Sequence, residues 1–332
     1  MDAIWSLAIR YRWAAPWLRG LAALVLAVLL YWQLTIRSDY SAVWQVFQQE
    51  TYLPRVHWLL AAIALMPLNW TLETLKWQQF TTIFAKMHFW QAYRAVLAGV
   101  TLGLITPQRI GEYGGRVLLG PAGQAWQLAL TTLLGNLSQM IVLFTFGLPA
   151  FLWFSYNYSG WSAYPLYINV AIAFGLILLS LTGFFSIPYV AIALCRLLPL
   201  RLWKKLQRQL VLLRACSLQL RLRALGWAAA RYWVYTIQYW LLLLFLGIDV
   251  PTEAAFAGIA TIFLIQTGVP LPLLGALLAR AEIALLVWGQ FHANELSILA
   301  ATFGLFIINL VLPALPGAIL LVKSKKHKTI KI

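Results

Sequence analysis

The sequence predicts an all-α polytopic membrane protein made of two inverted-topology repeats of about four elements each, whose two broken, re-entrant helical hairpins meet near the bilayer midplane. Three observations predict it. First, 62% of the 332 residues are hydrophobic and only 10% are charged, with a mean hydropathy of +0.78, whereas a water-soluble domain is about half apolar. Second, the basic residues gather beside apolar runs, where the positive-inside rule places them. Third, two apolar stretches are interrupted by proline, glycine and charge, at Thr106-Pro107-Gln108-Arg109-Ile110-Gly111-Glu112 and at Pro270-Leu271-Pro272-Leu273-Leu274-Gly275 followed by Arg280 and Glu282.

A crossing of the hydrocarbon core needs roughly 20 residues, and Leu18 to Ile36 supplies the first. Arg10, Arg12 and Arg19 put its start in the cytoplasm. The start resembles a signal peptide, but no small-x-small site follows Tyr31-Trp32-Gln33, so a retained helix is expected. A second span from about Pro54 to Thr74 returns to Lys76, Lys86 and Arg94. Gln91 to Leu119 is too short for two crossings around its break, and it ends at basic residues. The economical form is a hairpin that dips in from the cytoplasm. Ala125 to Ser155 then crosses outward, and Leu166 to Leu194 returns to the basic loop 196–223.

The second half reads as the same plan inverted. Trp227 to Leu246 runs outward to Asp249 and Glu253. Ala254 to Gln290, broken at Pro270 and Pro272, starts and finishes outside as either a dipping hairpin or two tight crossings. A last helix from about Leu296 to Val322 leads to the lysine-rich tail 323–332. Both termini are therefore expected in the cytoplasm, with the first repeat at 1–160 and the second at 161–322. The nearly equal separations of Glu112 from Glu282 and of Asn136 from Asn309 point the same way.

Each break concentrates groups that hydrocarbon penalises. Pro107 ends a helix, and Gly111 permits close backbone approach. A half-helix starting after the break aims free N–H groups at it, and Arg109 adds a full charge, which suits a phosphate or carboxylate. Arg109, Glu112 and Arg116 share a helical face by their spacing. They either form a binding site or neutralise one another as a structural ion network. Arg280 and Glu282 stand two apart, so each needs a partner elsewhere, and a meeting of the two tips would bring them toward Arg109 and Glu112. Thr106 joins this group, and Asn136, Gln139 and Asn309 either line the same cavity or bond between helices. Pro270, Pro272 and Gly275 form the second break. Glu73, Lys76 and Arg231 lie near expected helix ends, where snorkelling is the default. The tryptophans Trp13, Trp17, Trp58, Trp77, Trp90, Trp126 and Trp161 read as an interfacial belt.

The net charge of +16 is explained by the positive-inside clusters, so no nucleic-acid partner is expected. Arg201, Lys204, Lys205 and Arg208 share one face of an amphipathic segment that would lie on anionic headgroups. Cys195 and Cys216 lack metal or redox spacing, and His57, His88, His292 and His327 are scattered. No cofactor, metal or enzyme signature is expected.

At Gly103-x-x-Thr106-Pro107-x-Arg109-x-Gly111-Glu112, and again at Pro270-x-Pro272-x-x-Gly275 with Glu282, the chain resembles the membrane region of lysylphosphatidylglycerol synthases and the stand-alone flippase-like proteins related to it. The resemblance covers most of the chain, and the first motif carries most of it. It implies movement of aminoacylated or other polar-headed lipids between leaflets, with Arg109 and Glu112 implicated first and Glu282 next. Leu273-Leu274 stand where relatives are glycine-rich, and no aminoacyl-transferase domain is expected, so lipid synthesis is not. The expectation is a lipid translocase of a bacterial inner membrane acting on a phospholipid or glycolipid. The alternatives are a membrane enzyme acting on a lipid-linked phosphate and a non-transporting partner of a lipid-modifying enzyme.

Overall fold

The computed structural model describes residues 54–106, 109–160, 165–195, 215–268 and 273–329. The expected first crossing, the amphipathic segment of the basic loop, Pro107 and Pro270 to Pro272 lie outside the described residues. Helix accounts for 87% of the structure and no strand occurs among the described residues. All described helices belong to the compact unit Arg55–Ile332.

Helix α1 (Val56–Thr81) continues past its expected end at Thr74. Its 26 residues extend about 39 Å, more than the roughly 30 Å hydrocarbon core. Helices α2 (Phe89–Leu104) and α3 (Gly111–Leu119) form an antiparallel hairpin. Glycines permit that contact. A Cβ at Gly111 would strike the carbonyl of Leu102, and one at Gly115 the backbone of Ala98 and Gly99. The pairs Gly99/Gly103 and Gly111/Gly115 make the small-xxx-small pattern by which backbones approach in membranes. Thr106 closes the tip, its hydroxyl donating to the Leu102 carbonyl at 2.8 Å and accepting from the Gly111 N–H at 2.7 Å.

Helix α4 (Ala125–Phe154) runs on through a π-type turn, Ser155–Ser159, that ends at Gly160 with φ 62°. The apolar α5 (Leu166–Cys195) packs on α4 and leaves Phe174 and Leu179 exposed, as a lipid-facing helix does. Helix α6 (Leu218–Phe245) starts before the expected Trp227, because Ser217 caps it by accepting from the Leu220 N–H. Then come α7 (Thr252–Gly268), α8 (Leu273–Trp288) and α9 (Glu295–Phe306), the last capped by Asn294. A π-type turn, Ile307–Val311, leads into α10 (Leu312–Thr329). Pro313 lacks the N–H that would meet the Asn309 carbonyl, which accounts for the widened turn there. Four segments are long and apolar enough to cross a membrane: Val56–Thr81, Ala125–Tyr158, Leu166–Ile187 and Glu295–Lys323.

Helices α1 and α6 form the central pair. Gln238 donates to the Ala62 carbonyl at 2.8 Å near one end, and Gln79 donates to the Leu220 carbonyl at 3.4 Å near the other, so the two run antiparallel. On one flank α4 packs against α7, with Gly147 facing Leu264. On the other α2 packs against α10, where Thr101 donates to the Ala314 carbonyl at 2.9 Å. The largest core joins α6, α7, α8 and α9. There Tyr239 accepts from Trp288 Nε1 at 3.1 Å and bonds the Thr302 hydroxyl at 2.8 Å. Trp77, expected in an interfacial belt, is fully buried.

Candidate functional site

A cavity of about 250 Å³ lies beside the first helix break. Five parts of the fold wall it. Helix α1 contributes Trp70 and Glu73. The tip and α3 contribute Arg109, Glu112, Tyr113 and Arg116. Helix α4 contributes Asn136, Gln139, Met140 and Leu143, and α6 and α7 add Arg231 and Thr267.

Glu73 is its electrostatic centre. The carboxylate meets Lys76 Nζ at 2.6 Å, Arg116 Nη2 at 2.8 Å and Arg231 Nη1 at 3.3 Å. These cations come from α1 itself, α3 and α6, so one acid ties three helices together. Gln139 adds the fourth, its Oε1 accepting from Lys76 and Arg231, each at 3.3 Å, while its Nε2 donates to the Ala228 carbonyl. Glu73 and Lys76 are 3% and 1% exposed, which overturns the expectation that they snorkel at a helix end. A charge this deep is sustained only by opposite charge and hydrogen bonds. The i, i+3 spacing of Glu73 and Lys76 supplies the first of these within α1.

The two guanidiniums, Arg116 buried and Arg231 partly buried, also rest on aromatic faces. Arg116 lies 5.3 Å from the Trp77 ring centroid, and Arg231 lies 5.3 Å from that of Trp70. Stacking of this kind holds a guanidinium flat while its edge stays available for hydrogen bonding. At the tip, Arg109 has φ 57°, a left-handed backbone that turns the chain into α3, and its side chain pairs with Glu112.

Of the residues singled out from sequence, Arg109, Glu112, Arg116 and Asn136 come together on the cavity wall. Asn136 approaches the Tyr113 hydroxyl at 3.5 Å. Thr106 is spent on closing the tip. Arg280 lies over the Phe306 ring, 5.7 Å from its centroid, and the charge of Arg109 reaches it, but it is not part of the wall. Glu282 is exposed on α8 and also off the wall. Asn309 is buried and accepts from Asn69 Nδ2 at 2.7 Å, so it acts between α1 and the π-type turn.

Sequence reasoning missed Glu73, Arg231 and Trp70 as wall residues and Lys76 behind them, whereas Gln139, named as a candidate with Asn136, does line the cavity. A signal existed for Arg231: α6 contains no acid, so an arginine within it must find its counter-charge on another helix. Among the described residues, no group of three or more His, Cys, Asp or Glu is placed to hold a metal.

No family model, curated protein or solved structure matches the chain.

Proposed function

We propose that the protein is a lipid translocase, not an enzyme, in which a phosphate-containing or aminoacylated headgroup enters the cavity beside the first helix break while its acyl chains remain in lipid. The observation that carries this reading is the cavity itself. It is a polar, charge-lined space among helices of membrane-spanning length, with Arg109, Glu112, Arg116 and Arg231 in its lining. Charges at such depth are expensive, and they mark substrate pathways more often than they serve packing. The motif that resembles the membrane region of lysylphosphatidylglycerol synthases supplies Arg109, Glu112 and the tip that holds them.

The reading includes an inverted repeat with two re-entrant hairpins. Several features support it. Val56 and Leu218, Phe89 and Thr252, and Gly111 and Leu273 begin corresponding helices, and the three separations agree to within one residue. Exchange of the halves maps the contact of α4 with α7 onto that of α2 with the last helix. The central pair α1 and α6 is antiparallel, as equivalents in an inverted repeat are and those in a parallel repeat are not. In this register Glu112 corresponds to Leu274, and Glu282 falls about two turns further on, which accounts for its place off the wall. We place the protein in a bacterial inner membrane with both termini cytoplasmic, on the distribution of Lys and Arg.

The test is reconstitution into liposomes with labelled lipids and a leaflet-accessibility readout. Wild type should move at least one polar-headed lipid faster than empty vesicles, and Glu112→Gln should slow it. If folded wild type moves every lipid tested no faster than empty vesicles, the reading fails.

A further inference from the structure

We infer that the cavity selects a dianionic phosphoryl headgroup, a phosphate monoester or a diphosphate, over a phosphodiester and over an aminoacylated headgroup. The inference rests on the cavity of the translocase reading and names what fills it.

The first ground is charge. The cluster comprises Glu73, Lys76, Arg109, Glu112, Arg116 and Arg231. That is four cations against two carboxylates, a formal excess of two positive charges. An excess charge in a low-dielectric interior is costly until an opposite charge joins it. A phosphodiester brings one negative charge. A phosphate monoester brings about 1.5 to 2 near neutral pH. A lysylated phosphodiester, with two ammonium groups, is a net cation and would enlarge the excess.

The second ground is hydrogen-bonding sense. Arg116 Nε and Nη1, Arg231 Nε and Trp70 Nε1 are buried without a hydrogen-bond partner, and all three residues line the cavity. Arg116 and Trp70 are 2% and 1% exposed. These atoms can only donate. They are sealed behind the cavity wall, so they give that wall unmatched donor character, which favours an anion, and an ammonium group, itself only a donor, gains nothing from it.

The contrast with the family expectation is therefore chemical. Both acids that could face an ammonium are already engaged, Glu73 by three cations and Glu112 by Arg109.

Equilibrium binding of radiolabelled dioctanoyl phosphatidic acid to the purified protein in a non-ionic detergent tests the inference. Unlabelled dioctanoyl phosphatidic acid should displace the probe at concentrations about tenfold or more below those needed with dioctanoyl phosphatidylglycerol or its lysyl ester. Equal or better displacement by either of the latter two overturns the inference. Inorganic phosphate separates a lipid from a soluble source: displacement as effective as that by the lipid monoester would overturn the lipid assignment.

Charge rescue gives an independent arm. Arg109→Asn keeps a residue tolerant of the left-handed backbone and removes one positive charge, so the preference for the monoester should shrink. Arg109→Asn with Glu112→Gln restores the excess, and the preference should return. A preference that ignores both substitutions overturns the charge argument. Wild-type competition decides the matter even if a variant does not fold. The liposome assay is separate: transport of a lysylated lipid without this binding preference would sink the inference and leave the translocase standing.

Discussion

Glu73 carries more of the site than any other side chain, because it is the one carboxylate that Lys76, Arg116 and Arg231 share. Removal of its charge leaves two buried cations and a partly buried third without their counter-ion. Breaking a buried pair from one side typically costs about 3–5 kcal/mol, so Glu73→Gln should lower the unfolding temperature in detergent sharply. Glu253→Gln, at the exposed first turn of α7, should cost at most about 1 kcal/mol. Similar unfolding temperatures for the two variants would mean that Glu73 is not the keystone. At this scale sequence reading found the wall residues that stand at a visible break, Arg109, Glu112 and Arg116, and the polar Asn136 within α4. It missed Glu73 and Lys76 because α1 was expected to stop at Thr74, and a charge at a helix end needs no partner. Whether such a residue snorkels or is buried depends on what packs over it, and that is a tertiary fact.

The α2–α3 hairpin depends on backbone contact, and its tolerance to substitution should follow the contact map. Gly115→Ala places a methyl group against the backbone of Ala98 and Gly99, while Gly114→Ala meets only Leu102 Cδ1 at 3.9 Å. Gly115→Ala should therefore reduce the yield of folded protein in size-exclusion chromatography, and Gly114→Ala should behave as wild type. Equal behaviour of the two would remove close packing as the hairpin's support. The break and its two flanking helices were legible from Pro107 and from the short length of Gln91 to Leu119. The reason the helices stay together was also written in the chain: Gly111 was read as permitting close backbone approach, but the face it approaches, Gly99 and Gly103 on α2, was not identified. At the start of α6, Cys216 is buried, and burial pushes its thiol above the ordinary value. Since the thiolate is the reactive form, Cys216 should resist maleimide in the native protein at neutral pH and label after denaturation. Rapid native labelling would contradict its placement.

Across the described residues the two halves of the chain differ in kind. The first half brings a charged tip to a cavity. The second packs Tyr232, Tyr239, Phe263 and Trp288 into one core, and Gly258 lies against the Trp288 ring. The second break lies outside the described residues, and the cavity is built from the first tip with α3, α1, α4, α6 and α7. The all-helical class and the order of the helices were legible in hydropathy and charge. The pairing of α1 with α6 was not, because no periodicity in either helix names its neighbour. The proposed inversion predicts that a cysteine replacing Ile105 labels from the cytoplasmic side and one placed beside Pro270 labels from the opposite side. Labelling of both from one side would rule it out.

The most direct measurement is the initial rate of headgroup movement across proteoliposomes made with wild type, Arg109→Asn and Glu253→Gln at matched amounts of folded protein. If the cavity carries the headgroup, Arg109→Asn should slow movement about tenfold, the effect of roughly 1.4 kcal/mol, while Glu253→Gln matches wild type. Equal rates for wild type and Arg109→Asn would contradict the assignment of transport to this cavity.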